Sequence, residues 1–297
     1  MSNMLDVTVF DEGRSHRYLL KRAGALEARQ SLLTARQSKI LNSFNSCSRE
    51  LGYFESIYVG YDTNTNFLIL KYLNLPSISQ MISRPKLLQP LIGYPILYDG
   101  VAKAGHWLRN WHDSTCRHGS FSHSLREYVS DEGRLTALES VPKDTRTKFY
   151  DMLESCPDGD IVTIHGDFTV QNVMTDGKRL TVIDPGVWEW TEMTPCWDIA
   201  AFLVSLEDQL NNSIFNQIYW KHRIFPALKN EFLSAYGGGD WITNNNIYHV
   251  CAAIRRLAKF HGVRDNKKAM AQFYREKFIS LVERYATTVL SHESPKN

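Results

Sequence analysis

The amino-acid sequence predicts an α+β protein with a small β-rich N-terminal part and a larger helical part that holds one β-rich island. Two patterns support this prediction. Apolar residues follow strand-type patterns before Pro76, and they recur at helical spacing over most of the chain after it. With 297 residues, of which 43% are hydrophobic, the chain is long enough to bury a sizeable core.

The N-terminal part is predicted to contain two strands, a helix and two further strands. The first two strands should form a hairpin, because Asp11, Glu12 and Gly13 supply turn residues between them. In chain order, the predicted elements span Leu5–Phe10, Tyr18–Lys21, Leu26–Phe44 (the helix), Ser56–Tyr61 and Phe67–Leu73. We therefore predict an N-terminal lobe of residues 1–75 and a C-terminal lobe of residues 76–297.

The C-terminal part is predicted to be mostly helical. Its predicted helices span Tyr98–His112, Thr145–Glu154, Trp197–Gln209, Ile214–Tyr236 and Tyr248–Phe260. The β-rich island among them runs from Ile161 to Ile183.

Charge and cysteine content narrow the classes of partner. The formal net charge is +2, which gives no overall electrostatic footprint for nucleic acid, so we expect a small ligand and no nucleic-acid partner. The cysteines are scattered singly and lack metal-ligand spacing, so we predict buried thiols in a reducing cytoplasm. They are Cys47, Cys116, Cys156, Cys196 and Cys251.

The sequence shows no secretory signal and no membrane-spanning segment. Its N-terminal residues lack the basic and apolar stretches of a signal peptide. The longest apolar run, Ile199–Leu206, is too short to cross a bilayer. We expect a cytoplasmic protein and leave peripheral contact with a membrane surface open.

A predicted β-hairpin in the island brings two oxygen ligands together. Asp176 and Gly177 suit the positive φ angles of a tight turn between two apolar runs. If those runs pair antiparallel, Asn172 precedes the first strand and Asp184 follows the second, so both residues lie at the open end. Oxygen ligands suit Mg²⁺, which takes the rest of its shell from water and substrate phosphates. The hairpin therefore predicts a magnesium site at Asn172 and Asp184.

Asp167 lies five residues before Asn172, on the loop that enters the hairpin. Its carboxylate can point at an incoming hydroxyl and accept the proton as the oxygen attacks a phosphoryl group. We predict that Asp167 is the catalytic base.

The complete pattern H-G-D-x-x-x-x-N followed by I-D resembles the signature of the aminoglycoside phosphotransferase and choline kinase superfamily. Two further features of that family recur in the expected order, at Leu108–His112 and at Pro195–Ala200. The resemblance implies a bilobal protein-kinase-like fold of the small-molecule branch. It also implies ATP or GTP with Mg²⁺ as the phosphoryl donor, and the same roles for Asp167, Asn172 and Asp184.

The resemblance assigns nucleotide-binding roles to four residues of the N-terminal lobe. Lys21 matches the lysine that holds the α- and β-phosphates, and Lys71 and Leu73 match the hinge backbone that contacts the purine. Gln37 falls at the helix position where the family usually has a glutamate that pairs with the lysine. The Gly-rich loop of the family is also missing, since Gly13 stands alone.

The segment between Asp184 and Asp198 indicates a small-molecule acceptor, because it is too short for an activation loop and a peptide platform. Its aromatic and acidic residues could stack on a sugar ring or enclose a cation. The alternative is that the tryptophans belong to the core. The candidate acceptor residues are Trp188, Glu189, Trp190 and Glu192.

A basic run near the C-terminus bears on the charge of the acceptor. Its members are Arg255, Arg256, Lys259, Arg264, Lys267, Lys268, Arg275 and Lys277. A functional run would favour an anionic acceptor or an anionic membrane surface, with Arg255 and Arg256 as contacts. The alternative is a solvated helical face.

These observations predict a kinase that transfers the γ-phosphoryl group of ATP or GTP to a hydroxyl of a small molecule. A sugar or glycan is the preferred acceptor, followed by an amino alcohol and then an aminoglycoside. The alternative is a pseudokinase that binds a nucleotide or a partner without turnover. Gln37 and the missing Gly-rich loop favour that alternative, whereas the intact Asp167, Asn172 and Asp184 oppose it.

Overall fold

The computed structural model describes most of the chain. The described residues are 3–11, 14–22, 27–48, 50–62, 64, 67–83, 89–120, 122–130, 132–156, 159–186, 192–211, 216–238, 242, 245–263 and 268–292.

The chain forms two compact units. The first contains Met1–Thr115, His165–Thr191 and Ser205–Gly238, and the second contains Cys116–Ile164, Glu192–Val204 and Gly239–Asn297. The predicted lobe boundary at residue 75 falls inside the first unit, and the two predicted lobes stay a prediction.

A four-stranded antiparallel sheet lies in the first unit, with the strand order β1-β2-β4-β3. Its strands are β1 (Asn3–Asp11), β2 (Arg14–Arg22), β3 (Tyr58–Asp62) and β4 (Phe67–Lys71). The pairing of β1 with β2 confirms the predicted N-terminal hairpin. Buried Leu68 and Leu70 alternate with half-buried residues in β4, as expected for a strand with one face on a core.

Four helices and a two-stranded hairpin complete the first unit. The helices are α1 (Glu27–Cys47), α2 (Ile78–Ser83), α3 (Gln89–Thr115) and α8 (Asn216–Tyr236), and the hairpin strands are β7 (Val173–Thr175) and β8 (Leu180–Val182). Helix α1 buries Ile40, Leu41 and Phe44 at helical spacing. Phe44 meets the rings of Trp107 and Trp111 on α3 edge to face, at centroid distances of 4.9 and 4.8 Å.

A glycine allows helices α3 and α8 to approach closely. A Cβ atom at Gly105 would lie 2.4 Å from the carbonyl oxygen of Phe232. A side chain at this position would therefore push the two helices apart, and only glycine fits the observed spacing.

The second unit combines a three-stranded sheet with helices. Its strands are β5 (Arg117–Gly119), β6 (Gly159–Thr163) and β9 (Glu192–Met193), in the order β5-β6-β9. Its helices are α4 (Ser122–Val129), α5 (Glu132–Glu139), α6 (Lys143–Glu154), α9 (Asn246–Val263) and α10 (Lys268–His292), and α7 (Cys196–Asn211) begins in this unit. Helix α9 packs along α10, and Phe149 of α6 meets Phe278 of α10 at a centroid distance of 5.2 Å. An apolar core therefore joins the C-terminal helices to α6.

The five cysteines are free, but they are not all buried. Burial raises the pKa of the Cys156 thiol to about 11 and that of the Cys196 thiol to about 12, and Cys251 is buried as well. Cys116 is exposed just after the end of α3, and Cys47 is only partly buried at the end of α1. The prediction of buried thiols is thus wrong for these two, because single spacing in sequence does not indicate which thiols fall at helix ends.

Within the part of the chain that the structure describes, no helix combines the length and apolar character needed to span a membrane.

Candidate functional site

The central feature of the candidate site is the hairpin formed by β7 and β8. The strands pair antiparallel, with Val173 opposite Val182 and Thr175 opposite Leu180. At the open end, the N–H of Ile183 donates to the carbonyl of Asn172 over 3.0 Å. The predicted hairpin is therefore confirmed, and it places Asn172 and the residue just before Asp184 side by side.

Side-chain hydrogen bonds hold the closed end of the hairpin. Four residues separate the two strands, and the Oδ1 atom of Asp176 accepts from the backbone N–H groups of Lys178 and Arg179 over 3.0 and 2.7 Å. Desolvation alone would raise the pKa of Asp176, but these hydrogen bonds and the Arg179 guanidinium lower it overall. Gly177 takes a φ of 86°, which suits glycine. The turn is longer than the two-residue turn expected from Asp176 and Gly177, because Asp176 caps the turn with its side chain.

The amide of Asn172 has a defined orientation. Its Nδ2 atom donates to both the backbone carbonyl and the Oδ2 atom of Asp167, each over 2.9 Å. The Oδ1 atom therefore faces the opposite way and is the atom available to a cation. The amide oxygen of Asn172 and the carboxylate of Asp184 are each hard oxygen ligands of the type that Mg²⁺ takes.

No group of three or more His, Cys, Asp or Glu side chains among the described residues is arranged to hold a metal ion. A magnesium ion bound to a nucleotide does not need such a group, because water and phosphates supply most of its ligands. The fit of this site to Mg²⁺ therefore depends on Asn172 and Asp184 together with the phosphates of a substrate.

Asp184 lies in a segment with defined backbone geometry. Its φ is 52°, the only positive value for a non-glycine residue in the described chain. Aspartate tolerates this left-handed region better than most residues do. Two residues later, the N–H of Gly186 donates to the carbonyl of His165 over 2.7 Å. The backbone around Asp184 is thus held in a conformation that the residue would not adopt by default.

His165 links the loop of Asp167 to the segment of Asp184. Its Nδ1 atom accepts from the N–H of Asp167 at 3.3 Å, so the ring proton lies on Nε2, which donates to the carbonyl of Ile183 over 3.0 Å. The ring is fully buried and stacks parallel to Phe44 at a centroid distance of 5.8 Å. His165 therefore bonds the backbone on both sides and holds the two segments together.

Asp167 is half-buried and follows Gly166, whose φ is 82°. Its Oδ2 atom accepts the hydrogen bond from Asn172. The predicted base and one predicted metal ligand are therefore in direct contact, and the carboxylate is oriented by its neighbour.

Gln37 makes a contact that its sequence position does not reveal. Its Nε2 atom donates to the carbonyl of Pro185 over 3.1 Å, across 148 positions in sequence. Lys21 lies in β2 opposite Leu68 of β4, and its side chain lies outside what the structure describes. Helix α1 thus reaches the segment of Asp184 through the side chain of Gln37.

The predicted hinge residues follow β4 at its C-terminal end. The N–H of Lys71 donates to the carbonyl of Ile57, and the N–H of Tyr72 donates to the carbonyl of Arg17. Backbone groups alternate in direction along an extended chain, so the carbonyl of Lys71 and the N–H of Leu73 point away from Arg17. This arrangement leaves one acceptor and one donor on the same side of the strand.

An ion-pair network connects the hinge to the hairpin turn. The Lys71 Nζ atom lies 2.6 Å from one carboxylate oxygen of Glu55, and an Arg179 nitrogen lies 3.2 Å from the other. The Lys71 side chain is thus engaged in an ion pair with Glu55.

Backbone hydrogen bonds also join the segment after the predicted hinge residues to the hairpin and to the loop that carries Asp167. The N–H of Thr175 donates to the carbonyl of Pro76, and the N–H of Ser79 donates to the carbonyl of Val170, each over 2.9 Å. Sequence reasoning missed Ser205, whose hydroxyl accepts the N–H of Val170 over 3.0 Å. A buried serine within an apolar helix gives no local signal of a partner 35 positions away.

The structure describes only one of the four candidate acceptor residues of the segment after Asp184. Trp188, Glu189 and Trp190 lie outside the described residues. Glu192 is exposed and pairs with Arg117 at 2.5 Å, so its carboxylate is engaged by a surface ion pair.

Arg255 and Arg256 are buried, with 9% and 2% of their surface exposed. The Arg255 guanidinium lies 4.5 Å from the ring centroid of Trp197, as in a cation–π contact. Neither residue belongs to a solvated helical face, which was the alternative interpretation of the basic run, because both side chains are buried on α9.

A family match together with the fold supports a kinase-type phosphotransferase. The sequence model of the phosphotransferase enzyme family matches residues 93–242, about half of the chain, and the chain belongs to that family. No curated protein sequence matches the chain.

Solved structures with a similar fold include small-molecule kinases. A glucosamine kinase in complex with glucosamine, ADP and inorganic phosphate aligns over 96% of this chain and 82% of its own, with a TM-score of 0.62 and 12% identity. The GDP complex of aminoglycoside 2'-phosphotransferase-IIIa aligns over 94% and 90%, with a TM-score of 0.51 and 12% identity. A choline/ethanolamine kinase family protein from Mesorhizobium loti aligns over 94% and 88%, with a TM-score of 0.50 and 16% identity. At these identities the likeness shows the fold, which is protein-kinase-like.

Proposed function

We propose that this protein is a small-molecule kinase that transfers the γ-phosphoryl group of ATP or GTP to a hydroxyl of a small acceptor. The observation that carries the proposal is the contact between Asn172 and Asp167. It orients the carboxylate of a candidate base and turns the amide oxygen of Asn172 outward, on the same loop system as Asp184. Phosphoryl transfer needs a positioned nucleophile and neutralised phosphate charge more than covalent chemistry.

In the proposed reaction, Asp167 accepts the proton of the acceptor hydroxyl. The acceptor oxygen forms a bond to the γ-phosphorus, the bond from that phosphorus to the β,γ-bridging oxygen breaks, and the nucleoside diphosphate leaves with the bonding electrons. Asn172 and Asp184 would hold Mg²⁺, which neutralises charge on the phosphates when bound. The carboxylate of Asp167 stays oriented by Asn172 until the proton has moved.

Binding of the nucleotide is assigned to the N-terminal strands. Lys21 is the proposed clamp on the α- and β-phosphates, and the Lys71 carbonyl and Leu73 N–H are the proposed purine contacts. Similar structures were solved with ADP in one case and GDP in another, which supports a purine nucleotide without selecting the base. A nucleotide-dependent kinase with free cysteines fits a cytoplasmic location.

A sugar or glycan remains the preferred acceptor, followed by an amino alcohol and an aminoglycoside. The structural likeness to a glucosamine kinase supports a sugar as the first choice. Trp188, Glu189, Trp190 and Glu192 are the proposed acceptor contacts, and Glu192 would bind an acceptor in exchange for its ion pair with Arg117. Because Arg255 and Arg256 are buried, we do not extend the proposal to an anionic acceptor bound at a surface patch.

A second candidate is a pseudokinase that binds Mg²⁺-nucleotide without turnover. The observation in its favour is that Gln37 is a neutral residue bonded to Pro185, rather than an acid available to a lysine. This candidate would keep the nucleotide site and lose the transfer step.

A phosphotransfer assay distinguishes the two candidates. The chain is incubated with Mg²⁺ and either ATP or GTP, together with a panel of sugars, amino alcohols and aminoglycosides, and phosphorylated product is measured by mass spectrometry. Product that disappears in the Asp167→Asn variant supports the kinase. Calorimetric binding of Mg²⁺-nucleotide without product across the panel supports the pseudokinase, and absence of nucleotide binding overturns both.

A further inference from the structure

Gln37 is half-buried on α1 and its amide reaches the backbone next to Asp184. The acceptor is the carbonyl of Pro185, which is itself buried. A part-buried hydrogen bond between helix α1 and this loop spans 148 positions in sequence. It therefore ties the placement of α1 to the conformation of the loop.

His165 holds the same loop through two further hydrogen bonds. His165 donates to the carbonyl of Ile183 through Nε2 and accepts from the N–H of Gly186 through its own carbonyl. Between these two bonds, the backbone of Asp184 takes its left-handed φ of 52°. Such a conformation persists only where the surroundings fix it. Among the described residues, Gln37 supplies the fixed contact at Pro185.

The chemistry of this contact selects an amide. A carbonyl oxygen needs a donor, and the Nε2 group of glutamine is one. An ionised glutamate of the same shape has only acceptor oxygens, so it would place a negative charge against the carbonyl of Pro185. The side chain at position 37 is therefore suited to the carbonyl of the loop, and as a neutral amide it cannot form an ion pair with a lysine.

We propose that Gln37 is a positioning residue, which sets the orientation of the Asp184 carboxylate by hydrogen bonding the carbonyl of Pro185. This inference rests on the proposed function for the role of Asp184 as a metal ligand. Helix α1 would thus contact the metal-binding loop directly, through the amide of Gln37, where related kinases use a glutamate that pairs with a lysine.

Three variants test the proposal. Gln37→Met keeps the length of the side chain and removes the donor. Gln37→Glu keeps the shape and replaces the donor with a charged acceptor. Ser38→Ala is the matched control, because the neighbouring Ser38 also makes one part-buried hydrogen bond from α1, to the hydroxyl of Tyr58 at 2.6 Å, and that bond leads to the sheet.

The first measurement needs neither metal nor nucleotide. Hydrogen exchange of the amides of Ile183 and Gly186 is followed in the free protein, since both amides are hydrogen bonded in this loop. We expect exchange about fivefold faster in Gln37→Met and Gln37→Glu, the scale of one lost hydrogen bond, and unchanged exchange in Ser38→Ala. Equal exchange in all three variants and the parent would overturn the proposal.

The second measurement is the Mg²⁺ concentration that gives half-maximal nucleotide binding by calorimetry. We expect it to rise about fivefold or more in Gln37→Met and further in Gln37→Glu, and to stay unchanged in Ser38→Ala. Tighter nucleotide binding in Gln37→Glu would mean that position 37 serves a lysine, and it would overturn the proposal.

The two measurements separate this inference from the function on which it rests. If the parent protein binds no Mg²⁺-nucleotide, the proposed function fails, and the exchange measurement still decides whether Gln37 holds the loop. If the parent binds and transfers phosphate while the Gln37 variants match Ser38→Ala, the function stands and the inference fails. Should Gln37→Met not fold, Gln37→Glu provides both measurements with a side chain of unchanged size.

Discussion

The amide nitrogen of Asn172 donates to the carboxylate of Asp167 and to its backbone carbonyl, each over 2.9 Å. One side chain thus fixes a candidate base and presents its own oxygen in the opposite direction. The proposed function gives the two aspartates of the site separate roles. Asp167 should accept the acceptor proton and Asp184 should bind the metal. Replacing Asp167 should therefore lower turnover alone, whereas replacing Asp184 should also weaken nucleotide binding.

Replacing Asp167 with Asn should leave nucleotide binding nearly intact and lower turnover by roughly a hundredfold or more, the usual scale for a lost general base. The new amide oxygen can still accept from Asn172, so the loop should keep its shape. Calorimetry with a non-hydrolysable nucleotide and Mg²⁺, run beside a phosphotransfer assay, measures both quantities. A large loss of nucleotide affinity in this variant would contradict the assignment of Asp167.

Replacing Asp184 with Asn should weaken Mg²⁺-dependent nucleotide binding and turnover together, because the ion loses a charged ligand. Asparagine tolerates the left-handed conformation at this position, whereas alanine would add backbone strain. The matched control is Asp176→Asn at the closed end of the same hairpin, which should leave the Mg²⁺ dependence unchanged. The check is a Mg²⁺ titration of nucleotide binding, and equal effects in the two variants would argue against a metal at Asp184.

Replacing Gly105 with Ala should destabilise the protein by about 1–3 kcal/mol, because the new methyl group would overlap the carbonyl oxygen of Phe232 on the facing helix. Gly262 is the control, since a Cβ there meets no atom within 4 Å. It lies in α9, so Gly262→Ala should instead stabilise the protein by about 0.5–1 kcal/mol. Urea denaturation measures both changes, and loss of stability in both variants would show that the contact at Gly105 is not the cause.

The pH dependence of stability should show a contribution from Glu283. A hydrogen bond from Lys148 and a second from the hydroxyl of Thr145 lower the pKa of Glu283 below its ordinary value of 4.5. A carboxyl whose pKa is lower in the folded state stabilises the fold above the unfolded value, and the contribution is lost as the pH falls through the folded value.

Glu283→Gln should therefore reduce stability near neutral pH, and the difference from the parent should shrink progressively below about pH 4.5. The side chain is 39% exposed, so solvent screening keeps the effect under about 1 kcal/mol. Urea denaturation of both proteins between neutral and acidic pH is the measurement. A difference that grows on acidification would have the wrong sign for this ion pair.

The site was predictable where its residues are close in sequence. The loop from His165 to Asn172 and the hairpin after it lie within one stretch, so turn chemistry and strand patterns were enough to predict that Asn172 and Asp184 share an end of the hairpin. The contact of Gln37 with Pro185 was not predictable, because no local pattern joins a helix residue to a loop 148 positions later.

The boundaries of the helices were also hard to predict from sequence. Helix α3 begins at Gln89 rather than at the predicted Tyr98. The prediction missed this first part because it contains Pro95, a residue that argues against a helix interior. The burial of Arg255 and Arg256 was also hidden, since charge in sequence does not reveal which face of α9 is covered. Packing between distant elements decided these features.

The two backbone hydrogen bonds after the hinge, from Thr175 to Pro76 and from Ser79 to Val170, have a geometric consequence for the donor. They tie the segment just after the strand with the proposed purine contacts to the loop and hairpin that would hold the metal, so they limit how far these two regions can separate. A bound nucleotide would have to match that distance. A triphosphate would then reach Asp167 with its γ-phosphorus, whereas a diphosphate would end short of it.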